Sequence, residues 1–107
     1  MFTRILIPTD GSELSQQAVL AGMTLASKLG AEVIGLSVMP RFHTVSLDPD
    51  MLEDLAERFR QRAQAQADDY LTFVSKAAAD AGVSSTVETG TSDDPWQAII
   101  DTALARV

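Results

Sequence analysis

Hydrophobic positions along the chain follow two different periods. Ile5, Leu6 and Ile7 form a continuous apolar run within residues 3–9, as in a strand covered on both faces. Pro8 stops the run, and Thr9, Asp10, Gly11 and Ser12 make a tight polar turn. Leu14, Ala18, Ala21, Gly22, Leu25 and Leu29 then recur at three- and four-residue steps, which predicts an amphipathic helix. Ser12 is suited to cap it, Glu13 to occupy its first turn, and Gly30 to close it in the left-handed conformation. A second apolar strand is expected over residues 32–39, with Gly35 allowing close approach to its backbone. Residues 40–48 read as a loop, and Pro49 as the first residue of a long helix reaching to about residue 81. Its stripe is Leu52, Leu55, Phe59, Ala63, Ala67, Tyr70, Val74 and Ala78, and Gly82 ends it.

Such a helix spans about 48 Å against about 20 Å for a six-residue strand, so part of it must overhang or kink. A third strand is expected over residues 84–88, followed by a polar loop over residues 89–94. Asp93 or Asp94 would cap a last helix with Pro95 near its start and Trp96, Ile99, Ile100, Ala103 and Leu104 on its apolar face. Trp96 reads as a packing anchor. Strands alternating with helices imply an α/β fold with a parallel sheet and right-handed crossovers. The apolar periodicity is still running at Val107, with no glycine or polar tail after it. The single domain, residues 1–107, is therefore expected to be incomplete at its C-terminal end.

Composition narrows the function. With 8 Lys and Arg against 15 Asp and Glu, the net charge is −7, unsuited to binding nucleic acid or an anionic membrane through basic residues. Arg58, Arg60 and Arg62 alternate and do not share a helix face. No cysteine is present, which excludes disulfides, a thiol nucleophile and cysteine-based metal sites. No apolar run approaches the roughly 18 residues of a membrane span, and residues 1–4 lead straight into the first strand without a signal peptide. A cytoplasmic protein is the default expectation.

Asp10 is the leading candidate for chemistry, because ligands of open α/β sheets bind at the carboxyl ends of the strands. It has a competing role, stabilising the turn before Ser12. His43, the only histidine, follows the second strand. With no second histidine or cysteine at ligand spacing, no transition-metal site is expected. Ser12 lacks the G-x-S-x-G setting of a nucleophile elbow. Asp93-Asp94 is better explained as a helix cap than as an acid/base pair, and Asp68-Asp69 as a solvated helix face.

The chain resembles the universal stress protein family along its whole length. The likeness rests on residues 4–12 (RILIPTDGS), on residues 32–38 (EVIGLSV), on the long second helix, and on residues 86–90 (TVETG) leading into residues 95–100 (PWQAII). The resemblance implies a Rossmann-like fold of the adenine nucleotide alpha hydrolase type, with five parallel strands in the order 3-2-1-4-5. Three of these, in the order 3-2-1, are present here. It also implies adenine-nucleotide binding, in which Pro8, Thr9, Asp10 and Val38 would surround the base and ribose. The family's phosphate loop, G-x2-G-x9-G-[ST], has no counterpart among glycines 11, 22, 30, 35, 82 and 90. ATP, with Mg, is thus a possible ligand that this chain would hold weakly or not at all.

The uncovered edge of the first strand is expected to favour a homodimer or higher self-association. A ligand-free interaction module is the main alternative function, and a slow ATP hydrolase a more distant one.

Overall fold

The computed structural model describes residues 4–41 and 49–106. The elements run β1 (Arg4–Pro8), α1 (Glu13–Leu29), β2 (Glu32–Met39), α2 (Pro49–Ala81), β3 (Ser85–Thr91) and α3 (Pro95–Arg106). The sheet has three strands in the order β1-β2-β3, and both pairings are parallel. This is the α/β arrangement that the alternating pattern implies, with β2 in the centre.

Register sorts the residues onto two faces. Ile5, Ile7, Val33 and Gly35 lie on one face, because Ile5 pairs with Val33 and Ile7 with Gly35. There they meet α1 and α2. The core gathers Ile7, Val33, Val19, Met23 and Ala26 with Val74 and Ala78. α2 packs closely on Gly35: a Cβ added there would lie 2.9 Å from Val74 Cγ1, so a side chain would push the helix off the sheet. Leu6, Ile34, Leu36 and Val38 alternate onto the opposite face. Among the described residues α3 covers that face, with Ala98 Cβ about 4.0 Å from the position of a Cβ on Gly90. Its C-terminal end is tied down where Arg4 Nη1 donates to the Arg106 carbonyl (3.1 Å) and Arg106 pairs with Glu88 (3.5 Å).

Several expectations need correction. β3 runs to Thr91, not to residue 88, because the eight-residue β2 continues the ladder: Ser37, Val38 and Met39 pair with Thr89, Gly90 and Thr91. The described part of the first strand ends at Pro8, although Thr9 N still donates to Leu36 O at 2.9 Å. In α1 the buried residues are Val19, Met23 and Ala26, while Leu14, Leu20, Leu25 and Leu29 are exposed. More than half of that helix's circumference is apolar, so periodicity alone does not select the arc that meets the sheet. Gly22 is the hinge between the two arcs: a Cβ there would lie 2.6 Å from Ile7 Cδ1.

The long helix is confirmed at 33 residues, and only its C-terminal half reaches the core, through Ala67, Leu71, Val74 and Ala78. Leu55 is exposed, so the overhang lies on the N-terminal half. Trp96 is 61% exposed and anchors nothing within the described residues. It shares an exposed arc of α3 with Ile100 and Leu104, and that helix has no fully buried residue.

A crevice at the carboxyl edge of the sheet

β1 delivers Asp10 to the rim formed by the carboxyl ends of the strands, and a network of short-range bonds fixes the turn. Ser12 N donates to Asp10 Oδ1 at 2.9 Å, closing an Asx turn. Gly11 adopts φ +78°, a conformation open to glycine at little cost. Gly11 N donates to Thr9 Oγ1 (3.3 Å), and Thr9 Oγ1 shares a hydrogen bond with Ser15 Oγ (3.1 Å). Ser12 is the N-cap: its Oγ accepts from Ser15 N at 3.1 Å. Gly30 closes the same helix with φ +65°.

The turn also sets the charge of Asp10. The Ser12 hydroxyl, then the Ser12 backbone N–H and the Ser15 hydroxyl, hold its carboxyl below the ordinary aspartate value. Hydrogen bonds to the ionised form produce this shift, and Asp10 itself is exposed. The group is therefore a carboxylate at neutral pH, already oriented by its own turn. It stabilises the turn and presents an anionic acceptor to the rim.

Two chambers meet at Asp10 and Val38. One, of about 330 Å³, lies on the α3 side and is lined by Pro8, Thr9, Ser15, Leu36, Pro95 and Ile99 as well. The other, of about 110 Å³, lies on the α2 side, with Ser37, Met39, Gln66, Ala67 and Tyr70 in its wall. The structure thus brings all four expected residues, Pro8, Thr9, Asp10 and Val38, to one crevice. Among the described residues, neither chamber is lined by lysine or arginine. A larger cavity of about 420 Å³ adjoins the smaller chamber and includes Arg41, Arg60 and Phe59. It lies beyond the Asp10 turn, on the overhang of α2.

Sequence reasoning missed Ser15, Ser37, Gln66 and Tyr70 as crevice residues. Ser15 carried a weak signal, three positions after a capping serine. Tyr70 was visible only as a member of a helix stripe. The other candidates are placed as follows. Ser12 is committed to capping. Asp93 Oδ1 accepts from Arg41 N at 3.3 Å, bridging the end of β2 to the turn before α3. The Asp94 carbonyl accepts from Gln97 N (3.0 Å) and Ala98 N (3.3 Å) at the start of α3. The pair therefore divides its work, and Asp93 is not simply a helix cap.

Asp68 accepts from Gln64 Nε2 at 2.8 Å on the exposed face of α2. His43 lies outside the described residues. Among those described, no three His, Cys, Asp or Glu side chains gather as a metal site, and no helix is long and apolar enough to cross a membrane.

An open parallel sheet with helices on both faces and a polar crevice at its carboxyl rim defines a Rossmann-like α/β domain. The sequence matches the universal stress protein family over residues 1–106, and the chain belongs to that family. Three solved structures share the fold. A universal stress family protein from Burkholderia pseudomallei is 24% identical, with a TM-score of 0.65 over 95% of this chain and 72% of its own. A universal stress protein in complex with cAMP is 21% identical, with a TM-score of 0.64 over 96% and 69%. An Arabidopsis thaliana family member with AMP bound is 16% identical, with a TM-score of 0.66 over 97% and 71%. The sequence matches none of the curated proteins.

Proposed function

We propose that the chain is a cytoplasmic stress-response module whose crevice takes the base and ribose of an adenine nucleotide, with Pro8, Thr9, Asp10 and Val38 as the binding residues. The observation that carries this reading is the convergence of an oriented carboxylate, Asp10, with the apolar wall of Val38, Leu36 and Ile99 at the rim where sheets of this type bind ligands. The carboxylate is an acceptor for ribose hydroxyls, and the apolar wall suits the face of a base. Relatives solved with AMP and with cAMP support the ligand class.

The phosphates are a different matter. A phosphate group placed in the crevice would meet the negative charge of Asp10, and among the described residues no lysine or arginine lines either chamber to offset it. The described residues of the two chambers fit the nucleoside portion of ATP and do not fit its triphosphate, with or without Mg. The reading therefore orders the ligands as adenosine above AMP above ATP, and it assigns no catalytic residue. Calorimetric titration with the three ligands tests this. Asp10→Asn should weaken adenosine binding tenfold or more, since a hydrogen bond to a charged group contributes about 1.5–3 kcal/mol. ATP binding tighter than adenosine, or adenosine binding unchanged in Asp10→Asn, would refute the reading.

A second reading, self-association, is favoured by one specific feature. Leu14, Leu25 and Leu29 on α1 and Trp96, Ile100 and Leu104 on α3 are exposed, and no described strand pairs with the outer edge of β1. A second copy covering these apolar arcs would remove them from water at about 25 cal/mol per Å². Sedimentation at micromolar concentration should show a dimer that Leu25→Lys with Ile100→Lys converts to monomer. A wild-type monomer under those conditions would exclude this role.

A further inference from the structure

Tyr70 stands on α2 between the buried residues Ala67, Leu71 and Val74, so its backbone is fixed to the core. Its half-buried ring reaches the turn after β1. A Cβ added to Gly11 would overlap Cε1 and Cδ1 of that ring, which means that the ring occupies the side of Gly11 where another residue would carry its side chain. The same side chain walls the smaller chamber together with Asp10, Ser37 and Val38. The turn is thus clasped twice: by α1 through the Ser12 cap and the Ser15 hydroxyl, and by α2 through this one aromatic contact.

We propose that Tyr70 is a positioning residue of the crevice, holding the Thr9–Ser12 turn in ligand-binding shape by packing its ring on Gly11 and closing the α2-side chamber behind Asp10. The proposal rests on the base-and-ribose reading above. Removing the ring leaves the turn anchored on one side only and opens the chamber behind Asp10. The contact is made by the ring carbons, so phenylalanine preserves it and alanine does not. Glycine at position 11 is required twice over, by its positive φ and by the space the ring takes.

The chain contains one tyrosine, so 3-fluorotyrosine labelling yields a single 19F resonance. Titrating adenosine into the labelled protein should shift that resonance, and Asp10→Asn should abolish the shift. In calorimetry, Tyr70→Ala should weaken adenosine at least fivefold and Tyr70→Phe less than twofold. Val74→Ala, a destabilising change in the core that lines neither chamber, should leave affinity unchanged. That control separates a positioning role from a loss of general stability.

Adenosine binding that Asp10→Asn abolishes but Tyr70→Ala leaves intact overturns the proposal and spares the functional reading. If the wild type does not bind adenosine, the functional reading fails, and the turn itself decides the role of Tyr70. The 15N heteronuclear NOEs of Asp10 and Gly11 should then fall in Tyr70→Ala and not in Tyr70→Phe. Unchanged values in both would overturn the positioning role as well.

Discussion

Replacing Gly11 with alanine introduces two penalties that can be measured apart. The first is conformational: φ is +78°, and an L-residue held in the left-handed region costs about 1–2 kcal/mol. The second is steric, because the new methyl collides with the ring of Tyr70, and overpacking of this kind costs about 1–3 kcal/mol. Together they amount to about 2–5 kcal/mol, a large share of the roughly 5–15 kcal/mol that stabilises a domain. Only the second penalty depends on Tyr70. In a Tyr70→Ala background, Gly11→Ala should therefore cost no more than its backbone penalty of about 1–2 kcal/mol.

The four proteins of this double-mutant cycle, compared by urea unfolding, give a coupling energy of about 1–3 kcal/mol, with the double variant more stable than additivity allows. Additive losses would show that the ring is not seated on Gly11. A Gly11→Ala variant as stable as wild type would show that the turn does not adopt positive φ.

Other parts of the structure make equally definite demands. Ser12→Ala removes a helix cap and should cost about 1 kcal/mol. It also removes the hydroxyl that contributes most to the lowered Asp10 pKa, so 13C-detected titration should place that carboxyl below the ordinary value in wild type and closer to it in the variant. The sign follows from linkage. A depressed folded-state pKa contributes stability that is present above the unfolded value and is lost as pH falls through the folded one. Acid unfolding should accordingly begin at higher pH in Ser12→Ala. At the interface of β2 and α2, Val74→Ala should cost about 2–3 kcal/mol, since Val74 is fully buried. Adding Gly35→Ala to it should recover part of that loss, because the new methyl enters the space that Val74 Cγ1 vacates. The same Gly35→Ala change in wild type should destabilise.

The sequence carried the architecture because its punctuation is local. Ser12, Gly30, Pro49, Gly82 and Pro95 mark the ends of helices by their own chemistry, and five apolar residues identify β2 without tertiary information. The strand ends were less legible. Thr89, Gly90 and Thr91 look like a loop in isolation and become strand because β2 offers three further partners, a property of the neighbouring strand. Which arc of α1 faces inward was also hidden, as both arcs are apolar and the packing of Gly22 on Ile7 decides between them.

The site followed the same division. Asp10 stood out through its position after an apolar run, and Val38 through the family resemblance. Tyr70 is 60 positions from Asp10 along the chain, and only the crossing of α2 behind the turn brings it to the crevice. No periodicity in the helix distinguishes it from its packed neighbours.

Titration of 15N-labelled protein with adenosine, followed by amide chemical shifts, puts the crevice to the most direct test. Saturable shifts should concentrate at Thr9, Gly11, Ser12, Ser37, Val38 and Met39, and be lost in Asp10→Asn. Absence of shifts at millimolar adenosine, or shifts confined to the neighbouring cavity of Arg41 and Arg60, would contradict the account.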